Sequence, residues 1–276
     1  VVYVTGDLHG YFGRVLRFCD ARATSPRDVL VVLGDAGVDF WGDASDLRAR
    51  RALGGAALTV LCVHGNHEAR PSPALGYERR PWRGGFVWVD PACPRLLFAE
   101  DGSVFDLEGA SCLVAGGAYS VDRDFRLADG RPWFADEQPG PAERAAVERA
   151  CEGRGWRVDY VFTHTAPLGL RPAGAAYARR CSQGADLSCE EWLAAIERRL
   201  AYRRWFCGHF HVDEHEGRLA ALHRDVVELA SGRTVYGAAA DAAALAAGAR
   251  LGTFPPRHTN RPARPGPTMQ GELPCL

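Results

Sequence analysis

The chain has almost no net charge: Lys and Arg together number 33 against 34 Asp and Glu, a formal charge of -1 at pH 7. That balance removes the electrostatic reason to expect a long nucleic acid or an anionic membrane surface as partner, because both favour basic proteins. Long apolar runs are missing too. None approaches the roughly 20 residues that span a bilayer, and the opening Val1 to Thr5 reads as a strand, not as a signal peptide. Nine cysteines occur, an odd number, with no Cys-x-x-Cys among them. Cys62, Cys112 and Cys207 lie in or at the ends of apolar runs, where a thiol behaves as a small core residue. The expectation is a soluble, cytoplasmic protein with reduced, structural cysteines. No internal repeat is present.

What is there is enough apolar material for a large core. At 276 residues and 47% hydrophobic, the chain suits one α/β domain with additions. Short Val- and Leu-rich runs cover Val1 to Thr5, Val29 to Leu33, Leu58 to Val63, Cys112 to Ala115, Tyr160 to Thr163 and Trp205 to Cys207. Helical spacing between some of them, around Leu16 to Cys19, Leu47 to Leu53 and Ala142 to Ala150, suggests parallel strands joined by helices. A further helix is expected over Ser188 to Leu200, with Ser188 as N-cap and Glu191 completing a capping box. The runs Phe86 to Val89, Leu96 to Ala99 and Val104 to Leu107, and later Arg218 to Leu222 and Val226 to Leu229, follow one another without helices and read as antiparallel or mixed strands. Two sheets packed face to face with helices outside accommodate both kinds. The expected domain covers residues 1–230. Residues 231–276 read as a tail, Ala- and Gly-rich over Gly237 to Gly248 with a weak helix, then Pro- and Arg-rich and disordered.

The ends of the runs carry the chemistry. They read Gly6-Asp7-Leu8-His9-Gly10, Gly34-Asp35-Ala36-Gly37, Gly65-Asn66-His67-Glu68, Thr163-His164-Thr165 and Gly208-His209-Phe210-His211. In a layered α/β protein the carboxyl ends of parallel strands converge on one edge, so these distant residues meet. Asp7, His9, Asp35, Asn66, His164, His209 and His211 supply imidazole nitrogen with carboxylate and amide oxygen and no thiolate, a set that suits borderline divalent ions such as Mn, Fe or Zn. Seven donors are too many for one tetrahedral ion.

The order Asp-x-His, Gly-Asp, Gly-Asn-His-Glu, His, Gly-His-x-His resembles the calcineurin-like metallophosphoesterase superfamily over roughly residues 1–230, in particular small bacterial members related to serine/threonine protein phosphatases and diadenosine tetraphosphate hydrolases. The resemblance implies a four-layer α/β/β/α sandwich of two mixed sheets and two divalent ions (Mn, Fe, Zn or Ni, with Mn the first choice for reconstitution). It places Asp7, His9, Asp35 and His211 on one ion, and Asp35, Asn66, His164 and His209 on the other, so that Asp35 bridges. It further implies hydrolysis of a phosphomonoester or phosphodiester by a hydroxide held between the metals, with His67 as general acid to the leaving group. A carboxylate commonly orients such a histidine, and Asp39 or Glu68 could do so. Asp39 departs from the protein-phosphatase pattern, which has its Asp at the position of Val38. Those phosphatases also carry Arg just before Gly-Asn-His, where this chain has His64.

Phosphate binding could pass to Arg70, Arg123 or Arg126, or to His64 itself, since a loop after a strand end can reach over the metals and Arg suits phosphate oxygens. Trp82, Trp88 and Trp133 read as packing residues, with nucleobase stacking as the functional alternative. His215, His223 and His258 read as surface residues. The expected partner is a phosphorylated small molecule, nucleotide or phosphoprotein. The alternatives are a nuclease, a cyclic-nucleotide or dinucleoside-polyphosphate phosphodiesterase, and a non-catalytic metal-binding scaffold.

Overall fold

The computed structural model describes residues 1–174 and 184–248. Apolar strands alternate their side chains between two faces, and here both faces of the central strands are covered, which is why their sequences read as unbroken Val/Leu runs. In the first sheet β1 (Val2–Thr5), β2 (Val29–Val32), β3 (Thr59–Cys62) and β6 (Leu96–Ala99) run parallel. The antiparallel strands β4 (Glu78–Trp82) and β5 (Gly85–Val89) close one side, and β13 (Val226–Glu228) and β14 (Thr234–Tyr236) the other, giving the order β14-β13-β1-β2-β3-β6-β5-β4. The second sheet has the order β11-β12-β10-β9-β8-β7, from β7 (Val104–Leu107), β8 (Ala110–Ala115), β9 (Tyr160–Thr163), β10 (Arg204–Cys207), β11 (Glu214–Glu216) and β12 (Leu219–Ala221).

Alternate residues of each strand decide the layers. Val2, Val4, Val29, Val31 and Leu61 face Phe105, Val114, Phe162 and Phe206 across the gap between the sheets. Tyr3, Leu30, Val32 and Val60 face outward onto Val15 and Phe18 of α1 (Gly13–Arg22) and Ala49 and Leu53 of α2 (Ala44–Gly54). On the far side Leu113, Val161 and Trp205 pack against Val147 and Cys151 of α4 (Pro141–Gly153), which follows the short α3 (Arg123–Ala128), and against Leu193 and Ile196 of α5 (Ser188–Glu197). The result is the expected sandwich of two mixed sheets between helices.

Three local readings change. β4 was hidden because Glu78-Arg79-Arg80-Pro81-Trp82 has no apolar alternation; it is an edge strand, where a proline's missing N–H is tolerated. Ser188 is the first residue of α5 and not its cap: the Asp186 carboxylate accepts the Ser188 N–H at 2.9 Å, and the Ser188 hydroxyl faces Arg144 at 3.2 Å. The stretch expected as a charged loop after β8 contains α3. Past residue 230, β14 adds an edge strand, and α6 (Ala238–Ala246) is held to α1 by the Arg17–Asp241 ion pair at 2.7 Å. The Pro- and Arg-rich stretch and His258 lie outside the described residues. The described cysteines Cys19, Cys62, Cys93, Cys112, Cys151, Cys189 and Cys207 are free and buried. No described helix is long and apolar enough to cross a membrane.

Candidate metal centre

The loops after β1, β2 and β3 of one sheet and β9 and β10 of the other bring their polar residues to one edge of the sandwich. They turn within one or two residues, and His9, Asp35, His209 and His211 take left-handed backbone conformations with φ of 45°, 47°, 66° and 52°. Each such residue costs on the order of 1–3 kcal/mol. That four of the nine non-glycine residues of this kind among those described fall in a single cluster marks a place where geometry outweighs local stability. Glycine is required where the loops touch. A Cβ on Gly208 would strike Asp7 Oδ1 and the Leu33 carbonyl, and one on Gly34, already at φ 93°, would strike the His164 imidazole.

The donor atoms face one another. Asp7 is 3% exposed; its Oδ1 accepts the His209 N–H at 2.9 Å, while its buried Oδ2 has no hydrogen-bond partner. That orphaned oxygen lies 3.1 Å from His211 Nε2 and 3.7 Å from His9 Nε2, and these two nitrogens are 2.9 Å apart. Asp35 stands in the middle. Its Oδ2 is 3.7 Å from His9 Nε2, whereas its Oδ1 is 3.5 Å from His164 Nε2 and accepts the His67 N–H at 2.9 Å. Asn66 Oδ1 lies 2.7 Å from His164 Nε2 and 3.2 Å from His209 Nδ1. The other nitrogen of His164 meets the Leu33 carbonyl at 2.7 Å, which fixes the ring and leaves Nε2 for the site. Asp7–His9–His211, His9–Asp35–His67 and Asp7–Asp35–His164 each present ligand atoms within 4.8 Å of one another. A buried, unpartnered carboxylate oxygen among converging imidazoles and no thiolate fits a divalent cation.

Electrostatics agree. Burial pushes both carboxyls up, but the histidines outweigh it and hold them well below the usual range, His211 and His9 acting most strongly on Asp7 and His164 on Asp35. Burial pulls His164 down, yet Asp35 wins and raises it to about 9, while burial takes His209 down to about 3. A cation held through His164 Nε2 would therefore have to displace a proton below about pH 9. The apparent dissociation constant for Mn should tighten about tenfold per pH unit between pH 7 and 9, with about one proton released per ion bound at that histidine. Calorimetry in buffers of different ionisation enthalpy checks this, and a pH-independent affinity without proton release would contradict it.

The remaining candidates separate. His67 sits at the mouth, its side chain 25% exposed, stacked on Phe40 at 6.0 Å between ring centres. Neither Asp39 nor Glu68 orients it. Asp39 is tied to Arg50 at 2.5 Å and to the Tyr77 hydroxyl at 2.5 Å. Glu68 is buried, accepting the N–H groups of Gly65 and Ala36 at 2.8 and 3.1 Å, so it braces the β2 and β3 loops; burial, with Asp35 nearby, raises it to about 8. The carboxylate nearest the imidazole is Asp122, 3.7 Å from His67 Nε2. In the sequence the arginines of that stretch stand out as phosphate binders, whereas nothing in its spacing marks Asp122 as a partner of His67.

His64 is also displaced from its expected role: it is 3% exposed, and burial holds it well below the usual histidine range, so it is a neutral interior residue. Arg70 is engaged by Asp101 at 2.7 Å and by the Asp136 carbonyl at 2.9 Å. Arg126 is 2% exposed and is held by Ser120, Asp122 and Glu137. Arg70 and Arg126 are thus committed to these partners, and His64 is buried. Arg123 is different: it makes no ion pair among the described residues, its guanidinium lies 4.3 Å over Trp133, and it lines a cavity of about 420 Å³ with Tyr119, Trp133, Glu137 and Gln138. Trp82 packs on Phe105 and Trp88 on the core under the first sheet. His215 is exposed as expected, but His223 is half-buried and stacks on His211 at 4.7 Å.

Comparison with known proteins agrees with this geometry. A family model described as calcineurin-like phosphoesterase matches residues 1–213, a span that contains every donor named above. No curated protein matches the chain.

Proposed function

The chain belongs to the calcineurin-like phosphoesterase family, and from that premise we propose that it hydrolyses phosphate esters at a two-metal centre bridged by Asp35. Family membership makes it a metallophosphoesterase, a metal-dependent hydrolase acting on phosphorylated substrates. The observation that supports the bridging role is that the two oxygens of Asp35 face different groups, Oδ2 toward His9 at 3.7 Å and Oδ1 toward His164 at 3.5 Å. Asp7, His9 and His211 complete one position; Asn66, His164 and His209 complete the other. Two divalent ions held by these residues would supply a clamp on the phosphoryl oxygens and activation of the attacking water.

The chain's own residues do the rest. His67 is the proton donor to the leaving oxygen. In the free chain burial lowers it to about 4, against the pull of Asp35, so it is neutral at pH 7. An arriving phosphate anion favours the imidazolium, as does Asp122, so the proton is acquired together with the substrate. Arg123, which makes no ion pair among the described residues and lines the cavity, is the cation we assign to the substrate's remaining charge.

A second reading is a diesterase, in which Tyr119, next to the Ser120 that bonds Asn66, and Trp133 would give a bulky leaving group an aromatic wall. Mn-loaded protein tested on p-nitrophenyl phosphate, bis-p-nitrophenyl phosphate, a phosphopeptide and diadenosine tetraphosphate separates the two. Monoester turnover above diester turnover supports a phosphatase, and the reverse supports the diesterase. No turnover on any of the four with Mn, Fe, Ni or Zn overturns the proposal.

A further inference from the structure

Asn66 is the one amide among the proposed ligands, and the two ends of its amide differ chemically. Its Oδ1 can bind a cation and its Nδ2 cannot, so a half-turn about the last side-chain torsion would abolish its use. Something must tell the two ends apart. On the side away from the histidines, Asn66 Nδ2 donates to Ser120 Oγ at 2.9 Å. That hydroxyl cannot turn round to serve a flipped amide, because its single proton is given to Glu137 Oε2 at 2.5 Å. Glu137 also accepts the Ser120 N–H through Oε1 at 2.9 Å and so grips the residue from two directions. Arg126 donates to the same Ser120 oxygen and lies 3.7 Å from Glu137 Oε2, balancing its charge. Ser120, Arg126 and Glu137 are 0%, 2% and 3% exposed, so water does not compete for these bonds.

We infer that Ser120, clamped by Glu137 and Arg126, is a positioning residue that fixes the Asn66 amide with its oxygen toward His164 and His209. A flipped Asn66 would set its oxygen against the Ser120 oxygen, two acceptors with no proton between them, and its NH₂ against the cation position. The metal position held by Asn66 therefore depends on the loop after β8, which supplies no ligand of its own. This inference rests on the assignment of Asn66 as a ligand, and the test separates the two.

Calorimetric titration of chelated protein with MnCl₂ is the measurement. Wild type should bind two ions. In Ser120→Ala one of the two affinities should fall 10–100-fold, the usual cost of removing a group that orients a ligand, while the other changes less than about threefold. The decisive comparison is made in an Asn66→Asp background, where the side chain has two equivalent oxygens and needs no orienting. There Ser120→Ala should cost none of the Mn affinity, because it removes an acceptor oxygen that would face the new carboxylate. Ser120→Thr, which keeps the hydroxyl, should retain most of the wild-type affinity. Thermal melts of the metal-free forms show which variants fold; should Ser120→Ala fail to fold, Glu137→Gln, which loosens the clamp on Ser120, is carried through both backgrounds with the same expectation. Equal losses in the two backgrounds, or two undiminished affinities in the Asn66 background, would overturn the inference. A wild-type chain that binds no second ion would instead refute the two-metal reading beneath it.

Discussion

Asp35→Asn is expected to empty the centre more completely than any other single ligand change, taking Mn content from two per chain to one or none and turnover below about 1% of wild type. The reason is position. In the proposed partition every other donor serves one side of the cluster, whereas Asp35 presents Oδ2 to His9 and Oδ1 to His164. Asparagine keeps the size but replaces one oxygen with an NH₂ that repels a cation, and it removes the negative charge that offsets two dications. Loss of a charged ligand outweighs the 10–100-fold cost typical of an orienting partner, and here it falls on both positions. His164→Ala and His211→Ala serve as comparisons, each expected to spare the opposite position. The altered side chain keeps one oxygen for the His67 N–H that Asp35 now accepts at 2.9 Å, so the β3 loop should hold its place. Metal analysis after dialysis reads the result. Two ions retained in Asp35→Asn would refute the bridge.

Removing the imidazole of His67 should produce the second large effect, and one that depends on the leaving group. An alkyl phosphate must expel an alkoxide, which needs a proton in the transition state; without the general acid its turnover should fall about 10²–10⁴-fold. p-Nitrophenolate leaves readily as an anion, so the same His67→Ala variant should lose less than about tenfold on p-nitrophenyl phosphate. Metal content should stay at two, because His67 is not among the seven proposed ligands, although its imidazole lies within 4.8 Å of ligand atoms of His9 and Asp35. Equal losses on both substrates would assign His67 a different role, and a lost metal would make it a ligand. Asp122→Asn, which neutralises the carboxylate 3.7 Å from the imidazole, tests the same proton less severely.

The contrast between these residues shows what the sequence made legible. The layer order was readable because buried strands announce themselves as Val/Leu runs, and those runs ended where Asp7, Asp35, Asn66, His164 and His209 now meet. Side chains at strand ends inherit their positions from the sheet, so spacing along the chain carried that information. The edge strand β4 was not readable, because partner choice and not apolar pattern holds a strand such as Glu78-Arg79-Arg80-Pro81-Trp82 in place. Among the charged residues, type alone said little. Arg70, Arg123 and Arg126 look alike in sequence, yet Arg70 is engaged by Asp101, Arg126 is buried against Ser120, and Arg123 opens onto the cavity. Asp39 and Asp122 differ in the same way: Arg50 and Tyr77 take the first, leaving the second nearest to His67. Tertiary partners decide such roles, and they come from segments dozens of residues away.

One bridging carboxylate between two cations is the claim on which the mechanism turns. Anomalous scattering from crystals of the Mn-loaded protein tests it most directly. Two peaks about 3.5–4 Å apart are expected with Asp35 between them, Asp7, His9 and His211 around one and Asn66, His164 and His209 around the other. A single peak, or two peaks that do not share Asp35, would contradict it.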